Sequence, residues 1–245
     1  MTEILQIALP DEMHHPRPLP GVAPCAPDDW LRVDEVYGAQ MAYKRRLLKE
    51  KGEAVLWSDP SALPAAQEML AETLKLLPGL GFDLRDEAVH CPDGAQVHLN
   101  GADPLRTLGQ LVQEDICILE KRGAEHVLTG AILCFPANWR LGDKAMRPLT
   151  GIHAPVEDYD DEVARRVQRL FDGVRAGRPL WRFNRLTYAN PDLHQPTRRA
   201  DRALHPFLRS ERQCILRMPK TQAVIFTIHT FVMDRARAEA EAAAR

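Results

Sequence analysis

The sequence predicts an α+β protein in which a helical N-terminal extension leads into a strand-rich half built around one well-marked helix. Two observations carry that expectation. Apolar, β-branched runs of strand length recur at LVQEDICILEKRG, HVLTGAILCFP, LWRFNRLTYAN, RQCILRMPK and AVIFTIHTFV. Capped stretches of helix length stand ahead of them at SDPSALPAAQEMLAETLKLLPGL and among them at DYDDEVARRVQRLFDGVRAG.

The chain opens with an arm expected to wrap rather than fold, because Pro10, Pro16, Pro18, Pro20, Pro24 and Pro27 each remove a backbone donor and fix φ. From Asp28, DDWLRVDEVYGAQMAYKRRLLKEKG offers an N-cap, apolar residues near helical spacing and a basic last turn before Gly52, which predicts capped helical structure. The next helix is bounded by Ser and Asp before Pro60 and by Pro78-Gly79, with Met69, Leu70, Thr73, Leu74 and Leu77 on one face. The first two strand runs flank a Gly-containing turn and read as an antiparallel pair. ANWRLGDKAMRPLTGIHAPV is too broken by Gly and Pro for long regular structure. The helix that follows has acids in its first turn and Arg175 and Gly177 at its end. Three strands close the domain, the last two joined through Pro219-Lys220-Thr221, and the tail RARAEAEAAAR reads as a solvated helix.

Two strands, an irregular crossover, one long helix and three strands match the order of a PAS-like domain. That architecture is a five-stranded antiparallel sheet with helices on one face and a small-molecule cavity between them; pattern alone supports only α+β. The expected division is residues 1–95 as arm and helical extension, 96–235 as PAS-like core and 236–245 as tail.

Composition removes several classes of function. With 32 basic and 34 acidic side chains and a formal net charge of -2, no field draws the chain to nucleic acid or an anionic membrane. Cys25, Cys91, Cys117, Cys134 and Cys214 are odd in number and never form a CxxC pair, which argues against a disulfide framework and structural zinc. No apolar run of about 18 residues occurs, and the N-terminus lacks the basic and apolar regions of a signal peptide, so a soluble, cytoplasmic protein is expected. GxGxxG, GxxxxGK[ST], HExxH and GxSxG are all missing, which leaves nucleotide-binding, zinc-protease and hydrolase chemistry without minimal motifs.

Among nine histidines, His14, His15 and His126 fall in the arm or beside a turn, where exposure is the ordinary expectation. His229 shares a strand face with Ile225, Thr227 and Phe231, as a satisfied sheet histidine would. His153 stands between Gly151-Ile152 and Ala154-Pro155, just before the long helix. A neutral imidazole on such a rigid turn suits metal ligation through one nitrogen while the other is oriented. A capping or hydrogen-bonding role is the competing reading.

The blocks LGQLVQEDICIL, LCFPANWRLGDKAMRPLTGIHAPV, RFNR and LRSERQCILRMPKTQAVIFTIHTFV resemble the haem-dependent oxidative N-demethylase alpha-subunit family over roughly Trp57 to Val232. QED, FPxxW, a Lys followed by IHxPV, and ERQxLxRxP before an FTIxT strand carry the resemblance together. Arg185 departs from the tryptophan the family pattern would place there. The resemblance implies a haem-binding PAS-like core that uses dioxygen to remove a methyl group from a small, dimethylamine-like secondary amine. Electrons would come from partner reductase subunits carrying flavin and iron-sulfur, with folate likewise confined to partners. Without CxxCH, the haem would be haem b held non-covalently by an axial side chain. His153 then becomes the leading iron ligand, with His229 its rival.

Strand alternation supplies the rest of the candidate site. Arg182 and Asn184 share one face of LWRFNRLTY, opposite Trp181, Phe183 and Arg185, and are candidates to stabilise charge on bound dioxygen. Arg212 alternates with Cys214 and Leu216, another charge on a partly apolar face. Glu114, Asp115 and Glu211 are the candidate partners for such cations, and structural ion pairing is the competing role for Glu114, Glu211 and Arg212. Lys144 and Arg147 would meet haem propionates or remain solvated. A haem-based gas or ligand sensor and a haem-free ligand-binding subunit are the alternative functions.

Overall fold

The computed structural model describes residues 3–15, 21–153, 161–197 and 204–244. These form six α-helices: α1 (Tyr37–Glu50), α2 (Leu63–Leu76), α3 (Pro104–Leu111), α4 (Leu149–His153), α5 (Asp161–Gly173) and α6 (Arg235–Ala243). The strands are β1 (Ala23–Pro24), β2 (Leu56–Ser58), β3 (Asp83–Arg85), β4 (Ala88–His90), β5 (Gln96–His98), β6 (Asp115–Arg122), β7 (Glu125–Ile132), β8 (Leu180–Tyr188), β9 (Phe207–Arg217) and β10 (Val224–Asp234).

All five strands expected from alternation form, and they pair antiparallel in the order β8-β9-β10-β6-β7. The sheet is nonetheless wider than the five strands anticipated. β1 adds to the β8 edge and β2 to the β7 edge, making seven, and β3-β4-β5 form a separate small sheet. These additions come from segments of two or three residues ahead of β6, too short for alternation to announce them.

Helices also cover both faces rather than one. On the first face, Ile116, Ile118, Leu216, Ile225 and Phe231 pack with Trp30, Leu31 and Met41 from the N-terminal extension and with Leu108 from α3. On the second, Cys117, Leu119, Leu128, Ile215 and Ile228 pack against Leu141, Leu149, Phe171 and Val174. A sheet that is apolar on both faces must be roofed on both. We call these the arm face and the α5 face.

The helix expected from Asp28 begins only at Tyr37. Its upstream backbone donors are claimed from elsewhere: the Arg32 N–H by Glu114 Oε1 (2.9 Å) and the Asp34 N–H by Gln113 Oε1 (3.1 Å). α2 keeps its expected place, preceded by a 3₁₀ turn whose Asp59 accepts from the Ser61 N–H. α3 had a readable start that went unused, an Asp103 cap on the Arg106 N–H with Pro104 at the first helical position.

α3 lies so close to β7 that Gly109 has no room for a side chain: a Cβ would stand 2.6 Å from Ile132 Cδ1 and 2.9 Å from its Cγ1. Gly109→Ala is therefore expected to lower stability by about 1–2 kcal/mol despite alanine's better helix propensity, read as a lower midpoint in urea unfolding.

Candidate functional site

Each face of the sheet carries a polar cluster, and strand register assigns the candidates on β8, β9 and β10 to one or the other. On the α5 face, Arg182 sits opposite Gln213 and Asn184 opposite Glu211. The Asn184 carboxamide grips Glu211 twice, accepting its backbone N–H (2.9 Å) and donating to Oε2 (2.9 Å). Gln213 Nε2 adds a bond to the same oxygen (3.1 Å), while the fully buried Arg209 meets Oε1 at 3.3 Å. Arg209 also donates to Leu193 O (2.9 Å) and Phe135 O (2.5 Å), which straps the loops after β8 and β7 onto this face.

Arg182 is the unsaturated member. Its guanidinium makes one long bond, from Nη1 to Gln213 Oε1 (3.3 Å), and its buried Nε has no partner among the described residues. Burial pushes its pKa down from the ordinary arginine value, opposed by the Glu211 charge. A half-buried cation with spare donors is a group waiting for an acceptor.

Arg212, Glu114 and His229 lie together on the opposite, arm face. Arg212 donates to the Asp29 carboxylate (2.7 Å) and carbonyl (2.7 Å) and touches Cys214 Sγ (3.1 Å) and Cys25 Sγ (3.5 Å). His229 is held between two acids, with Nδ1 2.9 Å from Glu114 Oε1 and Nε2 3.2 Å from Asp34 Oδ2. Burial works against protonation of this imidazole, but the two carboxylates outweigh it and raise its pKa to about 9. Asp34 is pushed the other way, held below the usual carboxylate range by His229 against its own burial. With both ring nitrogens bonded to carboxylates, His229 offers no lone pair. The strand register also puts it, with Arg212 and Glu114, on the side of the sheet away from Arg182 and Asn184.

The remaining candidates belong to the cover of the α5 face. His153 is the last residue of α4, whose Leu149 packs into the α5-face core; the His153 side chain and residues 154–160 lie outside the described residues. Lys144 reaches the end of α4, donating to Ile152 O (2.5 Å) with its Nζ 5.2 Å from the Trp139 ring, and burial lowers its pKa. Arg147 is exposed and shares backbone bonds with β7. Among the described residues, no group of three or more His, Cys, Asp or Glu is arranged to hold a bare metal ion.

Several residues of these clusters escaped the sequence reading. Gln213 had a signal, being polar two positions from Glu211 on an otherwise apolar strand. Arg209 lay just outside the strand as read. His14 and His126, expected to be exposed, are 3% and 1% exposed. The Gln168 carboxamide reaches across from α5 to His126, accepting its backbone N–H (3.3 Å) and donating to Nδ1 (2.9 Å). His194 attracted no attention because its loop has no period.

The raised pKa of His229 has a sign that can be tested. Its stabilisation is fully present below the unfolded imidazole value near 6.5 and is lost as pH rises through about 9. The stability difference between wild type and His229→Gln should therefore shrink between pH 6.5 and 9.5 in denaturant titrations. Glu114→Ala at pH 7 should cost about 3–5 kcal/mol, the loss expected when a buried pair forfeits one partner.

Comparison with protein families gives one match that spans nearly the whole chain. The family model described as haem-dependent oxidative N-demethylase, alpha subunit-like, covers residues 21–245.

Proposed function

The chain belongs to the haem-dependent oxidative N-demethylase, alpha subunit-like family, and on that basis we propose that it binds haem b over the α5 face and demethylates a small secondary amine. When bound, the haem would supply the iron at which dioxygen is reduced and the amine's methyl carbon oxidised, the methyl group leaving as formaldehyde. The observation that carries the assignment to this face is the half-buried Arg182, left with spare donors beside Asn184.

The residues present fit such a group. The α5 face combines an apolar floor, including Ile215 and Ile228, with a cation whose Nε is buried and unpartnered, and its cover carries Lys144 and Arg147. The order β8-β9-β10-β6-β7 of the five long strands supports a PAS-like core, in which a ligand lies between sheet and helices. His153 would bind the iron from the end of α4, and Lys144 fastens that end through Ile152 O. Lys144 or Arg147 would face the propionates.

Arg182 would donate to negative charge gathering on oxygen, and its partial burial makes each such bond stronger than in water. The second amide hydrogen of Asn184, without a partner among the described residues, would serve the same purpose, while its grip on Glu211 fixes the side chain's orientation. The apolar floor excludes water from the methyl group. Glu114 and Arg212, on the arm face, would act in this reading as structural supports. Electrons would enter from flavin and iron-sulfur partner subunits, a role the words alpha subunit in the family description support.

Protein produced with a haem precursor should show a Soret band and release formaldehyde from dimethylamine when a reductant is supplied; absence of the band would sink the proposal in favour of a haem-free ligand-binding subunit. A Soret band with oxygen binding but no formaldehyde would favour a sensor. His153→Ala should lose the wild-type ligation spectrum and regain it in part with added imidazole, whereas an unaltered spectrum removes His153 as ligand. Arg182→Leu should keep its haem content but lose about 100-fold in turnover, the effect of deleting one charge-stabilising donor.

A further inference from the structure

We propose that Cys25 is a site of reversible oxidation, a thiolate that hydrogen peroxide converts to a sulfenic acid held by Arg212. The inference does not depend on the haem reading.

The first observation is access. Cys25 follows β1, a strand of two residues at the sheet edge, and its N–H bonds Pro179 O (2.9 Å). Its side chain packs into the arm-face core and is 8% exposed, while Pro24, Ala26, Pro27 and Asp28 around it are all exposed. So short an edge strand opens at little cost, and peroxide reaches the sulfur through that local opening without crossing the core.

The second observation is the set of groups on the sulfur. Arg212 Nη2 lies 3.5 Å from Cys25 Sγ, and Nη1 of the same guanidinium lies 3.1 Å from Cys214 Sγ. Asp29 Oδ2 stands 4.0 Å from Cys25 Sγ and opposes ionisation, but Arg212 binds that carboxylate oxygen at 2.7 Å and offsets its charge. A hydrogen bond from Cys214, with the Arg212 charge behind it, outweighs burial and brings the Cys25 pKa down to about 7. Cys214 is pushed the other way by that hydrogen bond and by burial, so it stays a protonated donor. Burial also pushes Cys117 and Cys134 up to about 12 and raises Cys91.

The third observation concerns the product. Arg212 is 2% exposed, and its Nε has no partner among the described residues. An oxygen placed on Cys25 Sγ, beside the same guanidinium, would supply the acceptor that this buried donor lacks. In the reaction the thiolate attacks one peroxide oxygen, an S–O bond forms, the O–O bond breaks, and the departing hydroxide takes a proton to become water. Sulfur gives up an electron pair and peroxide is reduced. Cys214 is protonated and sits across β8 from the β1 segment, which makes it a poor attacker of the product. The sulfenic acid therefore persists until a small external thiol expels water from it, forming a mixed disulfide that a second thiol cleaves.

The test treats the native protein with equimolar hydrogen peroxide, traps sulfenic acid with dimedone and maps the adduct by peptide mass spectrometry. The adduct should fall on Cys25 alone, and dithiothreitol added before dimedone should abolish it. Iodoacetamide should alkylate Cys25 of untreated protein about 10-fold faster than Cys91, with a rate that rises through its midpoint at a pH of about 7. Cys25→Ser should melt as wild type does and carry no adduct. Dimedone spread evenly over the five cysteines, an adduct that survives in Cys25→Ser, or a Cys25 alkylation midpoint at the ordinary thiol value would each overturn the proposal.

Discussion

Glu114 and Asp115 are neighbours at the start of β6, and the pleat sends them to opposite faces of the sheet. Each is buried where it lands, so each must collect donors from whatever covers that face. Glu114 takes the Arg32 N–H and His229, and so anchors the N-terminal arm. Asp115 takes the Cys134 and Phe135 N–H groups, and so fixes the chain as it leaves β7 to roof the α5 face. Lys44 reaches in from α1 to the Glu114 carbonyl and the Asp115 carboxylate, tying the pair to the helical layer. Much of the three-layer arrangement thus depends on two adjacent carboxylates that neither water nor a single layer could satisfy.

The two polar clusters differ in how fully their groups are paired. The arm-face cluster is densely paired: His229 has an acid on each nitrogen, and Arg212 is shared between Asp29 and two thiols, while Glu114 Oε2 and Arg212 Nε have no hydrogen-bond partner among the described residues. Dense buried networks favour one packing. In the α5-face cluster Arg182 Nε is buried without a partner among the described residues, on the side of the sheet that α4 and α5 cover.

Alternation made the central strands legible, because each pairs over long stretches and must place apolar side chains on both faces. The same alternation put Arg182 and Asn184 on one face, which the register with Gln213 and Glu211 bears out. It left open whether Arg212 shared that face, since parity within one strand says nothing about its neighbour until the register is known. β1 and β2 were invisible because two or three residues carry no period, and α1 was read too early because side chains of Gln113 and Glu114 outbid the helix for backbone donors. The burial of His126 depended on a glutamine from α5, a contact 42 residues away that no local pattern encodes.

The pairing of β10 with β6 sets the order in which the molecule can be assembled. Leu119 and Val224 face one another across the middle of the sheet, 105 positions apart by subtraction of their numbers. A ribosome that has delivered the β6–β7 hairpin must therefore add about a hundred more residues before β6 gains its second neighbour. Until then Ile116, Ile118 and Val224's other partners have only half their cover, and an unpaired β6 edge offers its backbone to any passing strand. Sheets closed by such distant pairings form slowly, because loop-closure entropy must be overcome before the central contacts repay it. The early N-terminal layers, which pack against β6 in the finished fold, are the part of the molecule placed to shield it during that interval.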